Sequence, residues 1–187
     1  SPMSRGLGDV YKRQSLTDRA DTELRATQEL AFLAPGVRRV PVEDEPFEGV
    51  LYEAAGSGPK PAVMVITGSG GGAPERAAAL LASHGITALA LAHFNYPGRP
   101  GELANIPLEY FYTAADWLRE RTAAPRIGLT GGSRGGEGAL LLAAMNPAPF
   151  AAVVAGVPSS VRISVVSRWT PRSASNSWPS TMFATWR

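Results

Sequence analysis

Cysteine is absent from the 187 residues, so disulfides, a thiolate metal site and a cysteine nucleophile are all excluded. Histidine is scarce. His84 and His93 are the only two, which excludes a histidine-rich metal site. No metal and no cofactor is expected. No run approaches the ~20 apolar residues that span a bilayer, and the N-terminus lacks the charged-then-apolar pattern of a signal peptide. A cytoplasmic location is the expectation that follows. After Glu137 the chain holds no Asp, Glu, His or Lys. The pI of about 9.2 invites a nucleic-acid partner, but the charge is in the wrong place for one. Seven of the eighteen basic residues and one of the sixteen acidic ones lie in 1–14 and 162–187. The body between carries 11 basic against 15 acidic residues, which offers no basic face for phosphate backbones.

What is present fits one globular domain. The chain is 44% hydrophobic and 18% charged, enough for a sizeable core, and its 20 glycines and 16 prolines suit many short turns. Both ends differ from this body. Asp9–Gln14 reads Asp-Val-Tyr-Lys-Arg-Gln, the hexapeptide that a transposon end used in sequencing libraries encodes in one frame. Residues 1–14 are therefore expected to be a non-native, adaptor-encoded leader outside the fold. Residues 162–187 hold six serines, four arginines and three of the four tryptophans, with no period of 2 or 3.6 beyond Val166. A GC-rich gene read out of frame gives such a mixture, so an out-of-frame or disordered tail is expected, with the frame lost near 161–164.

Between the ends, strand and helix patterns alternate. Residues 15–35 read as a linker or short amphipathic helix, with Leu24, Leu30, Phe32 and Leu33 spaced among charges. Val37–Val42 and Phe47–Tyr52 alternate like a hairpin. Ala62–Ile66 is a continuous apolar run, the pattern of a strand buried on both faces, and it ends at Thr67-Gly68-Ser69-Gly70-Gly71-Gly72. A helix over Glu75–His84 closes at Gly85, and Ile86–Ala92 is a second buried strand followed by the Pro/Gly loop His93–Glu102. Pro107–Arg121 is a helix with Leu108, Phe111, Ala114, Ala115 and Leu118 on one face. Arg126–Thr130 is a third strand, Gly136–Met145 an Ala/Leu helix and Phe150–Val157 a fourth apolar run. Such alternation implies right-handed βαβ units. The expected class is α/β, a mostly parallel sheet with helices on both faces and functional loops at the C-terminal strand ends.

Gly131-Gly132-Ser133-Arg134-Gly135 carries the chemistry. A strand before it and a helix after it are the context of a nucleophile elbow. The flanking Gly131 and Gly135 relieve steric clash, and Ser133 projects over the sheet edge near the positive end of the next helix. An N-capping serine in a Gly-rich turn is the rival reading. Thr67–Gly72, after the neighbouring strand, suits an oxyanion hole, with backbone N–H groups of Ser69 or Gly70 and of Arg134 as donors. It is not a Walker loop, since no Lys follows its glycines, and it lacks the acidic residue of a dinucleotide loop. A serine needs a base and the base an orienter. In the α/β-hydrolase fold they follow the serine as Asp or Glu and then His, but no His follows Ser133. Glu137 falls at the helix start as a dipole partner. His93 is expected to pack or to line the pocket, with a substitute base as the sharper alternative, and Tyr96 and Asn95 are further pocket candidates. The Arg134 side chain either steers an anionic substrate or is solvated. His84 caps a helix or lies on the surface.

Four segments in order resemble one family. They are Thr67–Gly72; Ala88-Leu89-Ala90-Leu91-Ala92-His93-Phe94-Asn95-Tyr96; Ile106-Pro107-Leu108-Glu109-Tyr110-Phe111; and Gly132-Ser133-Arg134-Gly135-Gly136-Glu137. From about Gly36 to Val161 the chain is similar to the C-terminal catalytic domain shared by acyl-CoA thioesterases and bile acid-CoA:amino acid N-acyltransferases. The resemblance implies a covalent acyl-enzyme on Ser133, formed from acyl-CoA and resolved by water or an amine. The family's catalytic Asp and His have no counterpart here, so the expectation for 36–161 is a truncated α/β-hydrolase domain, inactive by itself. A dienelactone-hydrolase-like or general carboxylesterase is the second reading, and a non-catalytic fragment or pseudoenzyme the third. Acyl-CoA or another acyl ester is the expected substrate, with no nucleic acid and no membrane span.

Overall fold

The computed structural model describes residues 33–159, together with the backbone of 10–17, 23–30 and 185–186. β1 (Val10–Thr17) and β2 (Glu23–Leu30) pair antiparallel, Val10 opposite Leu30. A strand over 23–30 departs from the linker or short helix expected for 15–35. Leu24, Ala26 and Leu30 also satisfy a period of 2, and a strand to pair with decides between the two periods. That strand begins inside the expected leader. The 162–187 tail lies outside the described residues apart from Thr185–Trp186.

The central sheet is built from six strands. β3 (Arg38–Pro41) and β4 (Glu48–Glu53) form the expected antiparallel hairpin, Val40 opposite Leu51. β5 (Ala62–Ile66) leads through the Gly-rich loop to α1 (Glu75–Ser83), which returns to β6 (Thr87–Ala92). The two-residue β7 (Ile106–Pro107) precedes α2 (Leu108–Thr122), then β8 (Ile127–Gly132), α3 (Arg134–Met145) and β9 (Phe150–Gly156) follow. β10 (Thr185–Trp186) pairs with β7. The order across the sheet is β3-β4-β6-β5-β8-β9. β5 pairs parallel with both β6 and β8, and β8 with β9, while β4 meets β6 antiparallel. The sheet is mostly parallel, as the alternation of patterns required.

Side-chain size sorts the two faces. Met64, Ile66, Leu89, Leu91, Ile127 and Leu129 point to one face, where α2 and α3 cover them. Val65, Ala88 and Ala90 point to the other, against Ala78, Ala79 and Ala82 of α1. Small residues on both partners let α1 lie close to the sheet. The five residues named on the α2 face are all buried. β4 is buried on both faces through its four central residues and does not alternate. It lies inside the sheet, between β3 and β6, with helices over both layers. Among the described residues no helix is long and apolar enough to cross a membrane, and no three His, Cys, Asp or Glu gather as metal ligands.

Candidate active site

β8 delivers Ser133 to the C-terminal end of the parallel strands. Ser133 takes φ 53° and ψ −123° at the junction with α3, a region that a side-chain-bearing residue enters only under constraint. The constraint is visible in its flanks. A Cβ on Gly131 would stand 2.4 Å from the Gly135 carbonyl oxygen, and one on Gly135 would stand 2.6 Å from that of Thr67. No side chain fits at either position, so the spacing of the two glycines is a packing requirement of the turn. Ser133 N–H donates to Gly156 O at 2.8 Å, and Ser133 O accepts from Glu137 N–H at 3.1 Å. The serine side chain makes no capping bond to α3 and is exposed. Its hydroxyl is not spent on the helix, which removes the N-cap reading.

The Thr67–Gly72 loop lies beside the elbow, since a Cβ on Gly68 would approach Gly132 O at 2.9 Å and the Ser133 Cβ at 3.5 Å. Its turn is closed by Gly71 N–H to Gly68 O at 3.2 Å and by Thr67 Oγ1–H to Gly71 O at 3.0 Å. Gly72 N–H donates to Phe94 O at 2.9 Å. The N–H groups of Gly71 and Gly72 are thus engaged, while Ser69 and Gly70 are exposed. Asn95 Nδ2 donates to Gly70 O at 3.0 Å and so pins the loop from the β6 side. Asn95 holds φ 49° to do so. The sequence offered Asn95 as a pocket residue. Its tie to Gly70 was not legible there, because the two meet only across the sheet edge.

The Arg134 side chain is mostly buried and not solvated. Its Nη1 pairs with Glu137 Oε2 at 2.9 Å, and the side chains are 13% and 16% exposed. Glu137 Oε1 also accepts from Ser159 N–H at 3.3 Å, tying the chain after β9 to the start of α3. His93 is placed in the interior, not on a pocket wall. It is fully buried, 5.1 Å between ring centroids from both Phe94 and Phe111. Burial, and secondly the positive charge of Arg99, push its pKa down to about 4. The imidazole is therefore neutral at pH 7 and faces phenyl rings. Phe111 and its neighbours pack as expected of helix residues, with Tyr110 O–H donating to Ala92 O and Tyr112 O–H to Leu142 O at 2.9 Å. Tyr96 is half-buried, and burial followed by the charge of Glu75 raises its pKa. His84 is the exposed C-cap of α1, its Nδ1 2.9 Å from Leu80 O.

One cluster beside the loop escaped the sequence. Glu75, in the first turn of α1, accepts from Arg39 Nε at 2.7 Å and Nη2 at 3.1 Å, and from Tyr52 O–H at 2.5 Å. Burial alone would raise the Glu75 pKa, but these bonds and the Arg39 charge outweigh it and hold the carboxyl below its ordinary value. The helix that follows the Gly-rich loop is thereby fastened to β3 and β4. Glu75 lies 23 positions from Tyr52 and 36 from Arg39, and no local spacing announces the contact.

Comparison with known proteins follows the same lines. Residues 106–172 match the family model described as "BAAT / Acyl-CoA thioester hydrolase C terminal". Acyl-coenzyme A thioesterase 1 of Rattus norvegicus is 41% identical over 132 residues, 70% of this chain and 32% of that protein. The peroxisomal succinyl-coenzyme A thioesterase of Mus musculus is 39% identical over 121 residues, 64% of this chain and 29% of that protein. The chain spans about a third of the length of the curated relatives it matches. Among solved structures, a putative dienelactone hydrolase from Klebsiella pneumoniae superposes with a TM-score of 0.54 at 22% identity, covering 68% of this chain and 61% of that one. An esterase from Pyrobaculum calidifontis does so with 0.51 at 21%, covering 66% and 43%. These likenesses show the α/β-hydrolase fold. The chain resembles the C-terminal catalytic domain of the acyl-CoA thioesterase and bile acid-CoA:amino acid N-acyltransferase family.

Proposed function

We propose that this relative of the acyl-CoA thioesterases carries the nucleophile and the oxyanion loop of a serine acyl-thioester hydrolase or acyltransferase. The observation that carries the reading is the conformation of Ser133: exposed, held at φ 53° between two glycines that admit no side chain, and beside the Thr67–Gly72 loop. In the proposed reaction the Ser133 hydroxyl attacks the thioester carbonyl of acyl-CoA. The carbonyl oxygen takes the negative charge and is met by backbone N–H groups of Arg134 and of Ser69 or Gly70. One such donor lowers the barrier by ~3 kcal/mol. The C–S bond breaks, the coenzyme A thiolate leaves and takes up through solvent the proton that the Ser133 hydroxyl loses, and the acyl group stays on Ser133 until water or an amine removes it.

Among the described residues none is placed to take the proton of the Ser133 hydroxyl. No histidine follows Ser133, and His93 is enclosed by phenyl rings. The reading therefore includes that the chain by itself acylates slowly and does not turn over. Without its triad partners a site still keeps roughly 10³-fold catalysis over water from the oxyanion hole and substrate binding. Incubated with a fatty acyl-CoA, the chain is expected to accumulate an acyl adduct on the Ser133 peptide, detected by mass spectrometry, with no sustained release of thiol. Ser133→Ala should remove the adduct. An adduct of equal yield in Ser133→Ala overturns the nucleophile, and rapid thiol release by the unmodified chain overturns the missing base. A matched oxygen ester, tested in parallel, separates a thioesterase from a general carboxylesterase.

A further inference from the structure

The parallel sheet has two ends, and the elbow uses one. At the other, residues 54–56 and 58–60, the first residue of β6 and the last turn of α2 line an open cavity of about 310 Å³. That is within the usual range for small-ligand pockets. Three cations line it, Arg38, Lys60 and Arg121, against a single acid, Glu53. Glu53 is shared between two of them. Its Oε2 accepts from Arg38 and its Oε1 from Arg121 at 3.0 Å. Lys60 is half-buried, and among the described residues it makes no ion pair. Its Nζ is folded back over the turn, 3.2 Å from where a Cβ on Gly56 would stand. The side chains of the cavity therefore sum to two positive charges, of which Lys60 is the one held without a carboxylate.

We propose that this cavity is a binding site for a phosphate dianion, either free phosphate or the terminal group of a phosphate monoester. A dianion neutralises the surplus that Glu53 leaves. Guanidinium forks and an ammonium together suit a tetrahedral oxyanion, which offers acceptors in several directions. Thr87, whose Oγ1 accepts from Ala54 N–H at 3.3 Å, brings a hydroxyl to the same wall. The carbonyl end of α2 opposes an anion by a fraction of one charge, which the three cations exceed. The site is separate from the elbow. β5 runs from one end of the sheet to the other in five residues, a span of roughly 16 Å at the usual strand rise. A nucleic-acid phosphate is disfavoured by the acidic excess of residues 15–161.

The test titrates the 187-residue chain with inorganic phosphate, ionic strength being held constant with chloride, and reads heat of binding and thermal midpoint. Saturable binding at millimolar phosphate or below is expected. Lys60→Gln should weaken it several-fold while leaving the phosphate-free midpoint unchanged, and Glu53→Gln should tighten it by releasing both arginines. A parallel titration with phenyl phosphate identifies the source. Tighter binding of the ester marks a monoester as the occupant, and equal or weaker binding marks the free ion. Absence of saturable binding beyond the chloride control, or affinity that Lys60→Gln does not change, overturns the proposal.

Discussion

At the scale of single residues, the elbow makes the sharpest demands. Gly131→Ala and Gly135→Ala each force a Cβ to within 2.6 Å or less of backbone oxygen, and backbone cannot swing aside as a side chain can. Each is expected to destabilise the protein by about 2–3 kcal/mol, the usual cost of overpacking. Gly132→Ala meets nothing within 4 Å and should be nearly neutral. Urea denaturation of the three variants checks the contrast, and equal losses in all three would show that the turn does not depend on its flanks. His93 supplies a second outcome. Unfolded, it titrates near 6.5, and folded, near 4. The unfolded state therefore binds more protons between those values. Stability should be complete above pH 6.5 and should fall as the pH drops toward 4, by up to about 3 kcal/mol from this residue. His93→Leu should flatten that part of the stability–pH curve. An unchanged slope would place His93 in contact with water.

At the scale of elements, α1 depends on a polar anchor as much as on its apolar face. Its inner side is three alanines, which bury little area each. Glu75 compensates by joining the helix to Arg39 on β3 and Tyr52 on β4. Glu75→Gln keeps the shape and loses the charge, so about 2 kcal/mol of stability should go, the worth of hydrogen bonds to a charged group. Glu75→Ala should cost more, because Tyr52 is fully buried and would lose the acceptor of its hydroxyl. Chemical denaturation of both variants measures this, and a loss below half a kcal/mol in each would show that the alanine face holds α1 alone. β2 carries a different lesson. Leu24 and Leu30 are an even number of positions apart, as alternation requires, and pairing with β1 selects the strand.

At the scale of the whole molecule, the two margins of the sheet differ among the described residues. β3 is a short, polar edge. At the opposite margin β9 has no outer neighbour among the described residues, and its sequence Phe-Ala-Ala-Val-Val-Ala-Gly is wholly apolar apart from its backbone. Val154 is 64% and Val157 85% exposed, and Leu140 and Met145 of α3 are exposed nearby in the chain order. An open apolar edge is a template for pairing with another chain. The double variant Val154→Lys, Val157→Lys should therefore lower self-association of the 187-residue chain, measured by light scattering, without lowering its thermal midpoint. Scattering that is unchanged by the two charges would place the sticky surface elsewhere.

The sequence by itself determined the order of strands and helices over residues 36–157, because buried strands and amphipathic helices write their periods into adjacent residues. It also indicated the sharp strand-to-helix turn at Ser133, because the glycines that such a turn requires stand close to its serine in the chain. The five buried positions of α2 followed from spacing alone. Only the tertiary structure decided which way distant polar groups face. Arg134 turns back to Glu137, His93 is enclosed by Phe94 and Phe111, Asn95 holds the loop at Gly70, and Glu75 gathers Arg39 and Tyr52. Three of these four join elements far apart in the chain or depend on which layer a strand occupies. Burial, charge pairing and pKa follow from that placement, and no local pattern encodes it.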